Sequence, residues 1–340
     1  MPVWNSAPAH FAVALQSLLA QDFGDFELIL SDNGSAEPAR AMYADAARRD
    51  PRIRLIRHDV NTGAIANFRF VLQEARGDLF MWAADDDDRS PKLLRLQVAA
   101  LDARPECAAA GTQSMMIDDD GRQLWRAEVA TGHALSASPA RRMLALGAPW
   151  PNMDVYGLHR REVLNQIDLT MKSIWIDRNI IIDVLLHGPI ARVDEDLFFY
   201  RLPRGREETF ERRAHQHFGD AAPRPTSSSN GHGNAWAGYD FASSAFRQLA
   251  TVLVSQARLS TAERIEAFVA LATVLATQGW FTRDELYAAL PALKQAISAR
   301  DIAASLRLAL RVLTLSPSLP FVGGAKKALQ LLQRRDHAAP

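Results

Sequence analysis

The amino-acid sequence predicts an α/β fold in which a mostly parallel sheet carries helices on both faces. Strand-like and helical segments alternate through the first 120 residues, and the polar loops SDNGS and AADDDD each follow a strand-like run. Chains in which strands alternate with helices generally build parallel sheets. The two loops are therefore expected at one edge of that sheet, where the carboxyl ends of its strands meet.

Each predicted element rests on its own pattern of apolar residues. Helices show apolar side chains three or four positions apart, and buried strands show short continuous apolar runs. Turn-forming Asp, Asn and Gly separate them. In chain order we expect a helix over 9–21, a strand over 26–30, a helix over about 36–49, a strand over 53–58, a helix after the turn NTG with Ile65, Phe68, Val71 and Leu72 on one side, and a strand over 79–83.

Composition excludes several classes of protein. The 340 residues include 39 Lys and Arg and 39 Asp and Glu, so no overall positive field favours nucleic acid. The lone cysteine, Cys107, excludes a disulfide framework and a cysteine-rich zinc site. There is no run of about 18 apolar residues, and the segment MPVWNSAPAH has no basic n-region, so neither a membrane-spanning helix nor a signal peptide is predicted. These features predict a cytoplasmic protein.

The run Asp85–Asp88 is the strongest chemical signal in the sequence. Neighbouring carboxylates repel one another unless a cation lies between them, and a second acidic loop is expected at the same edge. Hard cations such as Mg²⁺ and Mn²⁺ prefer oxygen ligands and often bind a substrate's phosphates as well. The pattern therefore favours a metal-bound phosphoanhydride. A solvated acidic turn that leads into the next helix is the alternative.

Two segments carry a resemblance to a known family. LQSLLAQDFGDFELILSDNGS and RHDVNTGAIANFRFVLQEARGDLFMWAADDDDRSPKLL resemble family 2 glycosyltransferases of the GT-A fold, over about residues 1–125. The resemblance implies an inverting transfer of a sugar from a UDP- or GDP-linked donor to a glycan or lipid-linked acceptor. It also implies dependence on Mn²⁺ or Mg²⁺ and a role in bacterial cell-surface polysaccharide synthesis.

The resemblance also implies roles for the acidic residues. Asp32 matches the carboxylate that contacts the nucleotide's base or ribose, although an Asx-type turn explains it as well. Counting back from Pro91 places Ala84 where many relatives have the first aspartate of an Asp-x-Asp motif. Asp86 is then the first choice for the metal ligand, Asp87 the second, and Asp85 is assigned to the donor nucleotide.

Further positions match the donor and acceptor sides of the family. Asn61 and Gly63 match the turn beside the donor pocket, with a purely structural role as the alternative. Asp177, near the start of an apolar helix, matches the base that deprotonates the acceptor hydroxyl. Tyr156 and Arg160 match an acceptor-side segment, where they either line the pocket or only pack and pair.

Two alternatives concern acidic and basic residues outside these matches. Asp183 is a rival for the base, but its position six residues after Asp177 favours a place on the polar face of the helix. Many relatives have a histidine shortly after a Tyr-Arg pair, where this chain has Pro203. His215 and His217 are possible substitutes, although a surface position is favoured for both.

The first strand is a further departure. Relatives begin with a full strand before the segment that here reads MPVWN, so Met1 is expected at the end of that strand. Because this strand helps to form the nucleotide pocket in relatives, we expect either a start further upstream or an incomplete donor site.

The remaining sequence predicts three regions. A catalytic domain is expected over 1–203, a flexible linker rich in Gly, Pro and Ser over 204–238, and a helical region over 239–340. STAE (260–263) and TRDE (282–285) fit capping boxes. The segments LRLALRVLTL and AKKALQLLQRR are basic and amphipathic, which indicates packing in a bundle or, as the alternative, contact with the inner face of the plasma membrane.

Two other functional classes stay open at this point. One is a catalytically inactive relative that acts as a binding or scaffold protein, which the missing strand would explain. The other is a nucleotidyltransferase or metal-dependent hydrolase that uses the same acidic edge. No glycine-rich dinucleotide motif or Walker loop occurs in the sequence, which argues against a dehydrogenase or an ATPase.

Overall fold

The computed structural model describes residues 1–127, 131–147, 151–169, 176–202 and 241–277. The strands are β1 (Pro2–Val3), β2 (Leu28–Asp32), β3 (Ile53–Arg57), β4 (Leu79–Phe80), β5 (Asp88–Arg89), β6 (Ala109–Ile117), β7 (Gln123–Ala127), β8 (Leu158–Arg160) and β9 (Ile190–Arg201). The helices are α1 (Pro8–Leu19), α2 (Ala39–Arg49), α3 (Ala64–Glu74), α4 (Leu93–Asp102), α5 (Thr131–Ala134), α6 (Pro139–Met143), α7 (Arg161–Leu164), α8 (Ile176–His187), α9 (Phe241–Val254) and α10 (Thr261–Thr277).

The first sheet confirms the predicted parallel arrangement. It has the order β1-β2-β3, and both pairings are parallel. All five residues of β2 are buried because helices cover both faces of this strand. Leu28 and Leu30 pack into one apolar cluster with residues of α1 and α2, whereas Ile29 packs into another with residues of α3. This alternation is what a strand between two helical layers requires.

The second sheet is mixed, which the sequence patterns did not predict. Its order is β4-β8-β6-β9-β5, and β7 pairs with the free edge of β6 along part of its length. The β6–β9 pairing is parallel, while β4–β8, β6–β8, β6–β7 and β5–β9 are antiparallel. β5 begins with the last aspartate of the acidic run, Asp88, so its pairing with β9 brings the end of β9 against that run.

The predicted elements of the first 102 residues are confirmed with boundaries shifted by a few residues. The largest difference is the strand expected over 79–83, of which β4 keeps only Leu79–Phe80. Trp82 lies just beyond β4, is fully buried and donates from Nε1 to the Phe68 carbonyl of α3 at 3.0 Å. The side chain therefore packs as in a strand although the backbone has left the ladder.

The region around Met1 matches the expectation for the end of a first strand. β1 has two residues, and Pro2 and Val3 lie opposite Ser31 and Asp32 of β2. A cavity of about 740 Å³ lies next to Met1, and its walls include Leu28 and Ile29 of β2 and the whole of β4. Within residues 1–127, no strand pairs with the edge of β4 that faces away from β8.

The described part of the C-terminal region shares a core with the rest of the fold. Apolar residues of α9 and α10, including Leu249, Val252 and Leu271, belong to the same buried cluster as Ile180–Leu186 of α8. The division of the chain at residue 239 stays a prediction. None of the helices among the described residues is long and apolar enough to cross a membrane.

One of the two predicted capping boxes is confirmed. At the start of α10 the Ser260 amide donates to Glu263 Oε2 at 2.8 Å, and the Glu263 amide donates to Ser260 Oγ at 3.3 Å. This reciprocal pair satisfies two backbone donors at the helix start. The second box (282–285), the linker over 204–238, Pro203, His215, His217 and the two basic amphipathic segments lie outside the described residues.

Candidate active site

Asp32 ends β2 at the carboxyl edge of the first sheet. Its Oδ1 accepts a hydrogen bond from the Ser35 amide, three residues on, at 2.9 Å, so the side chain stabilises the turn that follows β2. Its Oδ2 lies 3.9 Å from Arg57 Nε, and the residue is 1% exposed. The turn role is thus present in the structure. A contact with a nucleotide through Asp32 stays a prediction.

Asn33 links this loop to the loop that follows β3. Its Nδ2 donates to Asn61 Oδ1 at 2.8 Å, and its Oδ1 accepts from the Thr62 amide and from Thr62 Oγ1, both at 3.0 Å. Asn61 Oδ1 also accepts from the Gly63 amide at 2.8 Å, and Gly63 has a left-handed φ of 87°. Asn61 and Gly63 therefore shape this turn, and contact of either with a donor stays a prediction.

Asp85 is held from the loop that follows β1. Ser6 Oγ donates to Asp85 Oδ2, and Tyr43 OH donates to Ser6 Oγ at 2.7 Å. The Ser6 amide in turn donates to Tyr43 OH at 2.9 Å. Burial raises the pKa of Asp85, and the hydrogen bond from Ser6 opposes that rise. The carboxylate is thus tied to the first sheet rather than solvated.

Asp86 and Asp87 are destabilised as charged groups. Burial and the neighbouring Asp85 charge raise the pKa of Asp86. Burial and the Asp86 charge raise the pKa of Asp87, which is 0% exposed. Asp87 Oδ1 accepts from the Arg201 amide at 2.8 Å, but its Oδ2 is buried without a hydrogen-bond partner. The alternative of a solvated acidic turn is therefore wrong for Asp87.

The guanidinium groups of two buried arginines bind this run without bonding its carboxylates. Arg89 Nη1 donates to the Asp87 carbonyl at 3.1 Å, and its guanidinium lies 5.6 Å from the centre of the Phe198 ring. Arg201 Nε donates to the Asp86 carbonyl at 2.7 Å. Among the described residues, no lysine or arginine forms an ion pair with Asp85–Asp88. Within the described residues, no lysine or arginine side chain therefore neutralises these carboxylates by direct contact.

These residues fit a divalent cation of the Mg²⁺ or Mn²⁺ type. Raised pKa values in adjacent carboxyl groups and one orphaned buried oxygen are features that a bound cation would relieve. Within the described ranges, no group of three or more Asp, Glu, His or Cys side chains has the arrangement to hold a metal ion by itself. Mg²⁺ commonly uses one or two carboxylates together with substrate phosphates, so the two observations agree.

Asp177 lies in the first turn of α8. Its Oδ1 accepts from the Arg178 amide at 2.7 Å. Arg178 is buried and anchors this end of the helix, because its Nε donates to Gln248 Oε1 of α9 at 2.9 Å and its Nη2 to the Leu146 carbonyl at 3.0 Å. The position of Asp177 thus depends on contacts with α9, which is more than 60 residues further along the chain.

Tyr156 lies close enough to the acidic run and to Asp177 for their charges to act on its hydroxyl. Burial raises its pKa well above the ordinary value, and the charges of Tyr200, Asp87, Asp177 and Asp86 raise it further. The ring of Tyr156 packs 5.2 Å from that of Phe198 and 6.3 Å from that of Tyr200, measured between centroids. The structure therefore brings the acidic run and Asp177 to the same region, with Tyr156 near both.

A comparison with protein-family models identifies the first half of this fold. Residues 1–167 match the model described as "Glycosyl transferase family 2". This part of the chain, 167 of its 340 residues, therefore belongs to glycosyl transferase family 2. Asp177 lies beyond the matched residues, so its role is not fixed by this match.

Two bacterial proteins related to this chain carry the name of a glycosyltransferase. WcaA of Escherichia coli (strain K12), which carries the name of a colanic acid biosynthesis glycosyl transferase, is 32% identical over 99 residues, or 29% of this chain and 35% of WcaA. EpsE of Bacillus subtilis (strain 168), which is named a glycosyltransferase, is 29% identical over 140 residues, or 41% of this chain and 48% of EpsE. The chain thus spans less than half of each relative.

Solved structures of a staphylococcal protein share the fold. A crystal structure of S. aureus TarS 1-349 in complex with UDP-GlcNAc superposes with a TM-score of 0.58 at 16% identity, and the match covers 98% of this chain and 90% of that one. A second structure, in complex with UDP, gives 0.54 at 16% identity and covers 83% and 71%. At these identities the likeness shows the GT-A fold alone.

Asp183 and Arg160 have structural roles in this glycosyltransferase fold. Asp183 does not lie on a polar helix face: it is 4% exposed, its Oδ1 accepts from Ser255 Oγ, and it lies 3.4 Å from His187 Nδ1. Arg160 donates from Nε to the Cys107 carbonyl at 2.9 Å. Because Arg160 pairs with the first residue of β4, it lies at the end of that strand away from the acidic run.

Sequence reasoning missed several residues that shape the candidate glycosyltransferase site. Ser6, which bonds Asp85, gave no signal because a serine in a loop is common. Asn33 stood inside the quoted SDNGS motif, and its amide allows the bridging role that the structure shows. Arg201 belongs to the Tyr-Arg pair that was considered only for the histidine after it.

Proposed function

We propose that this chain transfers a sugar from a nucleotide-diphospho-sugar to an acceptor hydroxyl, with inversion at the anomeric carbon and with Mn²⁺ or Mg²⁺ as cofactor. In this proposal Asp86, supported by Asp87, holds the metal ion, and Asp32 and Asp85 lie on the donor side. Asp177 is the base for the acceptor.

The observation that carries the proposal is the electrostatics of the acidic run. Burial raises the pKa of Asp85, Asp86 and Asp87, and the charge of a neighbouring aspartate raises the pKa of Asp86 and Asp87 further, while neither nearby guanidinium bonds a carboxylate. Such an arrangement is unfavourable for the unliganded protein and becomes favourable when a cation binds. Strained electrostatics of this kind are common at functional sites.

The chemistry assigned to the residues follows from their places. The acceptor oxygen forms the new bond to the anomeric carbon, and the bond from that carbon to the diphosphate breaks with its electron pair on the diphosphate. The Asp177 carboxylate takes the proton of the acceptor hydroxyl. When bound, a divalent cation would stabilise the negative charge of the departing diphosphate.

The names of relatives support a polysaccharide context for this activity. WcaA is named for colanic acid biosynthesis, and the TarS structures contain UDP or UDP-GlcNAc. We therefore propose a UDP- or GDP-linked donor, a glycan or lipid-linked acceptor, and work in bacterial cell-surface polysaccharide synthesis at the inner side of the membrane.

Calorimetry of nucleotide binding tests the donor and metal sites. UDP and GDP are titrated into the chain with and without Mn²⁺, and one of the two is expected to bind more tightly with the metal. Asp86→Asn should abolish that increase because it removes a ligand charge. Asp88→Asn is the matched control, since Asp88 is a carboxylate of the same run that accepts from the Arg89 amide at 2.7 Å. Equal metal responses in both variants would contradict the assignment of Asp86.

Product analysis tests the reaction. With UDP- and GDP-linked sugars and a panel of glycan acceptors, a transferase releases a nucleoside diphosphate and forms a glycoside. Asp177→Asn should lose transfer but keep donor binding, because an asparagine oxygen still accepts from the Arg178 amide. Release of pyrophosphate or of free sugar alone would indicate the nucleotidyltransferase or hydrolase, and no binding at all would favour the scaffold protein.

A further inference from the structure

Arg201, the last residue of β9, is bound to two acidic loops at once. Its Nε donates to the Asp86 carbonyl at 2.7 Å, and its Nη1 donates to the Asp118 and Asp119 carbonyls, each at 2.8 Å. Its own amide donates to Asp87 Oδ1 at 2.8 Å. The residue is 5% exposed, so these contacts are shielded from water.

These contacts fix the peptide group between Asp86 and Asp87. The side chain of Arg201 binds the carbonyl of that peptide, and the main-chain amide of Arg201 binds the Asp87 carboxylate. A peptide plane held on one side limits where the Asp86 side chain can point. The same guanidinium anchors the turn after β6, which contains Asp118 and Asp119.

We infer that Arg201 is a positioning residue for the metal site, acting through the Asp86 carbonyl and the Asp87 carboxylate to set the affinity for a divalent cation. This inference rests on the proposed function. In this role, Arg201 contacts neither the substrate nor the cation. Its role depends on the shape of the guanidinium, whose Nε and Nη1 reach two different loops, and not only on its positive charge.

Arg201→Lys separates shape from charge. A lysine keeps the positive charge but carries a single nitrogen, so it cannot reach both loops as the guanidinium does. Arg160→Lys is the matched control, because Arg160 also donates to two carbonyls, those of Cys107 and Leu101 at 2.9 and 3.0 Å, at the far end of β4. Urea unfolding of both variants measures how much stability each substitution removes.

The decisive measurement is the Mn²⁺ concentration that gives half-maximal enhancement of UDP or GDP binding. We expect Arg201→Lys to raise it about tenfold, the factor that corresponds to one lost charge-assisted hydrogen bond. Binding of the nucleotide without metal should stay unchanged, because the Asp32 and Asn33 loop does not contact Arg201. Arg160→Lys should change neither quantity. A merely structural role for Arg201 would weaken both kinds of binding together.

Each outcome decides a different claim. The inference would be overturned, with the proposed function left standing, if Arg201→Lys needed the same half-maximal Mn²⁺ concentration as the wild type. It would also be overturned if Arg201→Lys and Arg160→Lys lost equal stability and needed the same Mn²⁺ concentration. Absence of metal-dependent binding by the wild-type chain would overturn the proposed function and this inference with it. If Arg201→Lys fails to fold, Arg201→Gln provides the same test, because the side-chain amide of a glutamine can donate to only one of the two loops.

Discussion

Replacing Gly34 by alanine should destabilise the fold and disturb the donor side of the candidate site. Gly34 has a φ of 75°, and an added Cβ would lie 2.7 Å from the Val60 carbonyl carbon and 2.8 Å from the Asn61 nitrogen. The left-handed conformation costs an L-residue about 1–2 kcal/mol. Overlap with backbone atoms, which cannot rotate away, costs about 1–3 kcal/mol more. The expected loss is therefore about 2–5 kcal/mol, reduced slightly by the lower entropy of the unfolded alanine variant.

Gly121→Ala is the matched control for this substitution. Gly121 also has a left-handed φ, 81°, but nothing lies within 4 Å of an added Cβ. Urea unfolding should therefore show a loss of about 1–2 kcal/mol for Gly121→Ala, which is the backbone cost alone. Because Gly34→Ala displaces the loop in which Asn61 bonds Asn33, it should also weaken UDP or GDP binding, which Gly121→Ala should not. Equal losses of stability in the two variants would refute the role assigned to the close approach.

Two further predictions concern stability. Burial lowers the pKa of His159 to about 4, from 6.5 in the unfolded chain, so the unfolded state binds a proton first and the contribution of His159 to stability should fall by about 3 kcal/mol as the pH drops from 6.5 to 4. Because the raised pKa values of Asp86 and Asp87 act in the opposite direction, the test is the difference in urea midpoint between the wild type and His159→Gln, which should move against the wild type as the pH drops; a constant difference would contradict the assignment. Ser260→Ala removes the cap of α10 and should cost about 1 kcal/mol in thermal or urea unfolding; an unchanged midpoint would show that the cap does not stabilise the helix.

Local patterns were sufficient to predict the first sheet and its helices. Leu28 and Leu30 face one helical layer and Ile29 faces the other, which is why a short continuous apolar run at this place predicts a buried strand. The same holds for α3, whose Val71 and Leu72 face the sheet. In these elements the information lies within about ten neighbouring residues, which is the range that periodicity covers.

The second sheet could not be predicted because its strands are defined by distant partners. β5 has two residues, Asp88 and Arg89, neither of which favours a strand, and it exists because they pair with Phe199 and Phe198 of β9. The trimming of β4 has the same origin, since it pairs only where β8 lies opposite. Pairings between segments this far apart leave no local trace in the sequence.

In the candidate site, too, some residues could be found from local sequence, whereas the environment of others depends on distant partners. Residue types and their place at strand ends were enough to select Asp32 and the acidic run, because carboxylates at that edge have a limited set of uses. The burial of Asp87 was not predictable, since it depends on the amide of Arg201, 114 positions away. The place of Arg160 was not predictable for a related reason, because it follows from the β4–β8 register, which the sequence does not reveal.

The acidic run is tolerated because positive charge is near it without neutralising it. Arg89 and Arg201 are both buried, and their guanidinium groups donate hydrogen bonds to backbone carbonyls of the loops, so they stabilise the path of the chain and supply a favourable field. Direct ion pairs would instead occupy the carboxylate oxygens and remove the attraction for a further cation. An arrangement that fixes the loop by its carbonyls and leaves its carboxylates destabilised is what a site for an exchangeable cation requires, whereas a purely structural acidic turn would gain stability from ion pairing.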